Sequence, residues 1–461
     1  GRQGMMPRTL SAVAYEVQGE LIGGDMEFGG VSIDSRKLHS GALFVAITGE
    51  NFDGNDFVAD AYSKGAAGAV VSRLVSVPLP QIHVSETRSA FGQIARAWRK
   101  NFSLPVVAVT GSNGKTTVKE LIASILGLSH NVCVTRGNFN NDLGVPLTLM
   151  RLRETHDVLV VELGANHAGE IDYLSKLAQP TVGIITNANA AHLEGFGSIA
   201  GVSAAKGELL DHLPKNGTAV INADDAHCIE WCDRSRSKEI LTFGINAQAD
   251  CTISGEIALE SDCSRFMMCL PSGVMIEIIL PLVGRHNVQN ALAASTAAYA
   301  LGASEKDIQQ GLKQSSAAKG RLNLLPISHG AKIIDDTYNA NPDSVRAALT
   351  YLKGLAGNRI FVLGDMAELG KAGERLHREI GVFARDCCDS LFAIGDLSRH
   401  AADAFGDRGQ FFSETAALQH AVERSLTKDT VILLKGSRAM GLDRLVELIG
   451  NGQTDREIPA C

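Results

Sequence analysis

The chain has 461 residues, enough for two to four domains, and is 45% hydrophobic and 20% charged with 47 glycines. That is the composition of an α/β protein with several ordinary cores, and it excludes a low-complexity or fibrous chain. A net charge of −8 excludes a broad basic surface for nucleic acid, so any anion must be held by local devices such as backbone N–H groups and a few placed cations.

Gly1-Arg-Gln-Gly-Met-Met6 lacks the apolar stretch of a signal peptide. No later segment approaches the roughly 18 apolar residues of a membrane span, so no membrane insertion is expected. The nine cysteines have neither zinc-knuckle nor redox spacing. They predict reduced, mostly buried thiols in a cytoplasmic protein. His227 and Cys228 are adjacent but have no second pair at ligand spacing, so no metal is assigned to them.

Three regions follow in order: residues 1–86, 87–321 and 322–461. The first contains short apolar strands such as Gly41–Ile47, the polar loop Thr48–Asp56, and a strand at Ala66–Val71. The second opens with a helix near Glu86 and the strand Val106–Val109. Buried-looking strands then alternate with helices: Val158–Val161, Val182–Ile185 and Ala219–Ile221. Continuous apolar runs separated by helices predict a parallel sheet covered on both faces. An antiparallel patch is expected around 240–283, and an alanine-rich helix, Asn287–Leu301, closes the region. In the third region, strands at Lys332–Ile334, Arg359–Leu363, Ser390–Ile394 and Thr430–Leu434 predict a second doubly wound unit.

Gly111-Ser-Asn-Gly-Lys-Thr116 lies between the strand ending at Thr110 and an amphipathic stretch, Thr117–Leu126. Strand–loop–helix is the context that phosphate binding requires. Glycines let N–H groups turn toward phosphate oxygens, and the helix start adds partial positive charge. Lys115 supplies a full charge, and the Thr116 hydroxyl is a Mg²⁺ ligand type. The spacing is G-x-x-G-K-T, shorter than the general phosphate loop, because Val109 stands where the first glycine belongs.

Ligands of open parallel sheets sit beyond the carboxyl ends of the strands, and several polar residues fall there. Glu162 follows Val158–Val161 and is a natural Mg²⁺ ligand. His192, after Val182–Ile185, could ligate a metal, orient phosphate or do neither; pattern leaves this open. Lys206, within a helical stretch, reads as a solvated lysine by periodicity. Asn138, Asn140 and Asn141 form either a turn or a set of amides for a polar substrate. Asp335–Pro342 is dense in groups that bind hydroxyls and amides. Lys435-Gly-Ser-Arg438 offers two cations suited to a carboxylate or phosphate, or else a solvated turn.

These segments together closely resemble the Mur ligases of bacterial cell-wall synthesis. The match is carried by Thr110–Thr117, Gly137–Asp142, Glu162–His167, Ala191–Gly197, Ala205–Glu208, Gly284–Leu292 and Asp335–Pro342, and it spans essentially the whole chain. The short phosphate loop is the form this family carries. The resemblance implies a central P-loop-type parallel-sheet ATPase domain. A small N-terminal α/β domain and a C-terminal Rossmann-like domain would flank it. Gly137–Asp142, Glu162–His167, His192–Gly197 and Gly364–Gly370 point to one branch of the family. That branch adds D-alanyl-D-alanine to UDP-N-acetylmuramoyl-tripeptide, using ATP and two Mg²⁺ ions.

The implied roles are as follows. Gly111, Ser112, Asn113, Gly114, Lys115, Thr116 and Thr117 would cradle the ATP phosphates, and Thr116 and Glu162 would hold Mg²⁺. His192 would ligate a second ion. Lys206 matches the lysine that the family carbamylates, which overrides its reading as a solvated cation. Asn287 and Asn290 match adenine contacts, Arg321 a nucleotide contact and Asp336 a ribose contact. Ser32, Asp34, Ser35, Arg36, Thr48 and Gly49 lie where the uridine nucleotide would bind. Asn138, Asn140, Asn141, Asn339, Lys435, Ser437 and Arg438 are the remaining candidates for substrate contact. Tyr338 stands where a sister ligase has lysine, so no catalytic lysine is carried to that position. The expected protein is a monomer whose C-terminal domain closes before chemistry.

Overall fold

A computed structural model describes residues 8–236 and 238–451; the N-terminal stretch Gly1–Met6 lies outside them. By its internal contacts the chain divides into two compact units. One comprises Gly1–Ala108, His130–Gly164 and Glu170–Thr181, and the other Val109–Ser129, Ala165–Gly169 and Val182–Cys461.

The first unit holds a five-stranded sheet in the order Glu20–Ile22, Gln81–His83, Gly68–Val71, Leu43–Val45, Val31–Ser32. Its pairings are parallel except that of Glu20–Ile22 with Gln81–His83. Every residue of Leu43–Val45 and Gly68–Val71 is buried, as expected of parallel strands covered on both faces. Phe44, Val58, Ala61, Ala69 and Val71 share one core. The predicted helix near Glu86 is Thr87–Arg99, and the Glu86 carboxylate accepts from the N–H groups of Arg88 and Ser89 at 2.8 and 2.7 Å, capping it. At its far end Arg99 donates to the carbonyls of Ala178 and Gln179, closing the Glu170–Ala178 helix. Strands Val132–Val134 and Val158–Glu162 pair in parallel.

In the second unit Val182–Ile185, Thr218–Asn222 and Glu239–Phe243 pair in parallel. The antiparallel patch is a three-stranded sheet of Thr252–Leu259, Ser264–Cys269 and Met275–Leu280. The alanine-rich helix runs Arg285–Ala300, buried along most of its length, which is why its sequence shows no polar face.

The third sheet has six strands in the order Asn323–Pro326, Lys332–Asp336, Thr430–Lys435, Asn358–Gly364, Ser390–Ile394, Gly409–Phe412. The first pairing is antiparallel and the others parallel. Its outermost strands escaped the sequence reading because they are short and partly exposed. The thiol expectation also needs correction. Among the described residues all cysteines are free, but Cys228, Cys232, Cys263 and Cys269 are only partly buried.

Candidate active site

The phosphate loop forms as its sequence implies, and its glycines are required. At Gly111 (φ +148°) a Cβ would lie 1.8 Å from Thr186 Oγ1, and at Gly114 (φ +85°) it would lie 2.4 Å from Asn290 Oδ1. The helix begins at Lys115, two residues before the predicted start, and runs to Leu126 with no side chain capping it. The dipole of a helix start favours an anion there. Ser112 N–H and Asn113 N–H donate to Asn187, at its carbonyl (3.0 Å) and Oδ1 (2.9 Å). Thr186 Oγ1 donates to the Asn113 carbonyl at 2.6 Å. The loop after Val182–Ile185 is thus a brace for the phosphate loop, a role that sequence pattern did not suggest. Lys115 Nζ donates to the Gly111 carbonyl at 2.8 Å, folding the cation over the loop.

Two links reach this loop from far along the chain. Asn113 and Asn341 form a reciprocal amide pair, each donating Nδ2 to the other's Oδ1, at 3.2 and 2.6 Å. Asn341 is also the N-cap of Pro342–Lys353, in a capping box with Ser344. Arg321 Nη2 donates to Thr116 Oγ1 at 3.0 Å, and its guanidinium lies 4.2 Å from the Tyr338 ring centre. Arg438, which is exposed, approaches the same ring at 5.3 Å.

His192 begins the short helix Leu193–Phe196 in a left-handed backbone conformation. Its Nδ1 is hydrogen-bonded to Glu368 Oε2. Burial pushes the imidazole pKa below its ordinary value; Glu368 opposes this, while Lys115 and Lys206 act with it. The neutral ring is the form that binds metal. Lys206, on Ile199–Gly207, is 1% exposed, so it is not the solvated lysine that periodicity suggested. Its Nζ lies 5.2 Å from the Phe196 ring, and His192 meets the same ring edge-on. An ammonium cannot ligate a metal, whereas a carbamate on the same nitrogen could.

In the other unit Glu162 ends its strand fully buried. Its N–H donates to Thr135 Oγ1 at 3.0 Å, and Asn140 Nδ2 donates to its Oε2 at 3.2 Å. A Cβ at Gly164 would fall 2.6 Å from the Asn140 amide carbon, so that glycine admits the asparagine. Asn141 Oδ1 accepts from Leu143 N–H (3.2 Å) and Gly144 N–H (2.8 Å) at the start of Gly144–Met150. The amide cluster therefore divides its work: Asn140 supports Glu162, Asn141 shapes a turn, and Asn138 is exposed. Glu162 and Thr116 are oxygen donors of the kind Mg²⁺ takes.

Asn287 and Asn290 are buried; Asn287 Nδ2 donates to the Val283 carbonyl and Asn290 Nδ2 to Asn287 Oδ1. Asp336 Oδ1 accepts from Leu322 N–H at 3.1 Å and Oδ2 from Lys435 Nζ at 2.7 Å. Lys435 also donates to the Asn339 carbonyl at 2.9 Å and is 3% exposed. This corrects the reading of Lys435 as an available cation, since its charge balances a buried carboxylate. Ser437 is buried and its N–H donates to the Asp365 carbonyl.

In the first unit Ser32 Oγ donates to the Asp34 carbonyl, and Asp34 takes a bidentate contact from Arg36. Arg36 holds the Asp34 pKa down at about 2. Ser35 is buried, and its carbonyl accepts from Lys64 Nζ. Thr48 bridges Asp53, and Gly49 N–H donates to the Phe52 carbonyl. Ser32 ends the strand Val31–Ser32, Asp34 caps the short 3₁₀ helix Ser35–Lys37, and Thr48 and Gly49 lie in the loop after Leu43–Val45.

A phosphate-loop strand–loop–helix and a second doubly wound sheet later in the chain define an α/β protein built to hold a phosphate-bearing ligand. Family patterns assign it more narrowly. "Mur ligase family, catalytic domain" matches residues 27–100, "Mur ligase middle domain" 109–298, and "Mur ligase, glutamate ligase domain" 320–438. The chain belongs to the Mur ligase family and is a ligase.

Several relatives match over nearly the full length. UDP-N-acetylmuramoyl-tripeptide--D-alanyl-D-alanine ligase of Escherichia coli (strain K12) is 40% identical over 453 residues, 98% of this chain and 100% of the relative. A crystal structure of MurF from Acinetobacter baumannii superposes with TM-score 0.91 at 37% identity, covering 97% of this chain and 99% of that one. MurF ligase from Thermotoga maritima in complex with ADP gives TM-score 0.83 at 26% identity, covering 92% and 98%.

Proposed function

We propose that this chain joins the terminal carboxylate of UDP-N-acetylmuramoyl-tripeptide to the amine of D-alanyl-D-alanine at the expense of ATP, a step of peptidoglycan precursor synthesis. The observation that carries the reading is full-length similarity to enzymes of that name, joined to a phosphate loop whose glycines admit no side chain. The domains follow the sequence boundaries 1–86, 87–321 and 322–461, and the protein acts as a cytoplasmic monomer.

A carboxylate does not acylate an amine at neutral pH, because oxide and hydroxide are poor leaving groups. The tripeptide carboxylate oxygen therefore attacks the ATP γ-phosphorus, ADP departs, and an acyl phosphate forms. The D-alanyl-D-alanine amine attacks the acyl carbon, loses a proton, and expels phosphate. The protein contributes positioning and charge neutralisation. Gly111–Thr117 binds the β- and γ-phosphates, with Lys115 exchanging the Gly111 carbonyl for phosphate oxygens. Bound Mg²⁺ supplies further neutralisation of the transferring group. Thr116, Glu162, His192 and carbamylated Lys206 are its proposed ligands. Asn287 and Asn290 take the adenine, Arg321 and Asp336 the nucleotide. Ser32, Asp34, Ser35, Arg36, Thr48 and Gly49 take the uridine nucleotide; Asn138, Asn339, Ser437 and Arg438 meet the remaining substrate.

Phosphate release measured with UDP-muramoyl-tripeptide, with and without D-alanyl-D-alanine, tests the reading. Release stoichiometric with amide and dependent on that dipeptide is expected. Release stimulated only by another amino acid would point to a sister ligase. A phosphorylated product with no free phosphate would point to a kinase.

A further inference from the structure

Glu368 lies in Gly364–Gly370, one of the segments whose resemblance points to a branch of the family. Glu368 reaches across 176 residues of sequence to accept a hydrogen bond from His192 Nδ1. The backbone repeats the contact, with Glu194 N–H donating to the Glu368 carbonyl at 3.1 Å. Six described residues other than glycine have positive φ, and two of them, His192 (54°) and Glu368 (60°), are these partners. Backbone conformations unfavourable to side chains persist where surrounding structure over-determines them, and they cluster at working sites.

The stem that carries Glu368 is rigid. Met366 N–H donates to His377 Nε2 at 3.0 Å, and His377 Nδ1–H donates to the Gly373 carbonyl at 2.6 Å, all of it buried. Asp365 Oδ1 accepts from Ser398 N–H at 2.7 Å, and its carbonyl accepts from Ser437 N–H at 2.9 Å. Glu368 is thus a carboxylate presented from a fixed platform rather than a loose surface charge. A carboxylate accepts only, so His192 carries its hydrogen on Nδ1 and keeps a lone pair on Nε2. That is the arrangement of a ligating histidine backed by a carboxylate.

We propose that Glu368 is the positioning residue for His192, fixing its tautomer and ring direction so that Nε2 faces a metal ion. The inference rests on the metal role proposed for His192. It makes ligation conditional on docking of the Gly364–Gly370 segment.

Mn²⁺ binding, read by electron paramagnetic resonance with a non-hydrolysable ATP analogue bound, tests it. Glu368→Gly removes the carboxylate and relieves the backbone, so folding and analogue affinity should be kept. It should weaken one class of Mn²⁺ site roughly 10- to 100-fold and lower kcat with little change in the KM for ATP. Glu368→Gln, which keeps an acceptor oxygen, should restore much of the Mn²⁺ affinity. In a His192→Ala background Glu368→Gly should have no further effect. Wild-type Mn²⁺ affinity in Glu368→Gly, with His192→Ala impaired, would overturn this inference alone. Unchanged affinity in both would overturn the metal role of His192 as well.

Discussion

A methyl group at Gly111 would lie 1.8 Å from Thr186 Oγ1, and one at Gly114 would enter the Asn290 amide. Neither neighbour has freedom to withdraw, since Thr186 holds the Asn113 carbonyl and Asn290 is buried. Gly114→Ala should therefore lose nucleotide binding and, with left-handed strain of about 1–2 kcal/mol, lower the thermal midpoint. Lys115→Ala should leave folding intact and raise the barrier by about 3 kcal/mol or more, read as at least a hundredfold loss in phosphate release. Lys435→Ala has a different signature. It strands the buried Asp336 carboxylate, so about 3–5 kcal/mol of stability should go in denaturant melts. The sequence made the loop residues legible because their geometry is local to one strand–loop–helix. Local pattern alone misread Lys435 and Lys206 as solvated, because whether a cation is solvated depends on elements that pack over it from elsewhere in the chain.

At the scale of elements, the helix Pro342–Lys353 starts on a residue that also holds the phosphate loop. Asn341→Ala should cost about 1 kcal/mol for the lost cap and raise the KM for ATP. Asn341→Asp separates the two effects. It keeps a capping oxygen, so the thermal midpoint should stay near wild type. It also puts a carboxylate against Asn113, so the KM for ATP should still rise. If Asn341→Asp binds ATP like wild type, the amide pair does not support the nucleotide loop. Strands and helices with clear apolar runs were readable in advance, including every strand flanking the phosphate loop. The partners of the loop were not, because Asn113 and Asn341 are 228 residues apart and no periodicity links them. Asn187, Asn341 and Glu368 each stood in a polar segment that pattern could flag but not pair.

The molecule as a whole carries histidines held neutral by burial. His377 uses both ring nitrogens in buried hydrogen bonds, and burial lowers its pKa. His286 is pushed from 6.5 down to about 4, again chiefly by burial. An unfolded chain takes up these protons near pH 6.5, and the folded chain only at lower pH. Stability is thus full above about pH 6.5 and falls as pH drops below it, for His286 by roughly 1.4 kcal/mol per pH unit down to about pH 4. Thermal midpoints measured from pH 7 to pH 5 should decline, and His286→Gln should make the decline shallower. Acid loss of activity in this range would then report unfolding as well as catalysis.

The reciprocal amide pair also bears on how the protein ages. Asn113 precedes Gly114, and an asparagine followed by glycine is prone to spontaneous loss of its side-chain nitrogen, one reason asparagine counts as thermolabile. That loss would turn a donor–acceptor amide into an acceptor-only carboxylate. It would sever the bond from Asn113 to Asn341 and set a negative charge beside the phosphates. The two bonds that now fix the amide also restrain it from the cyclisation that starts this decay. Stored preparations should then lose activity in step with a mass-shifted peptide spanning Asn113, and faster in Asn341→Ala than in the wild type.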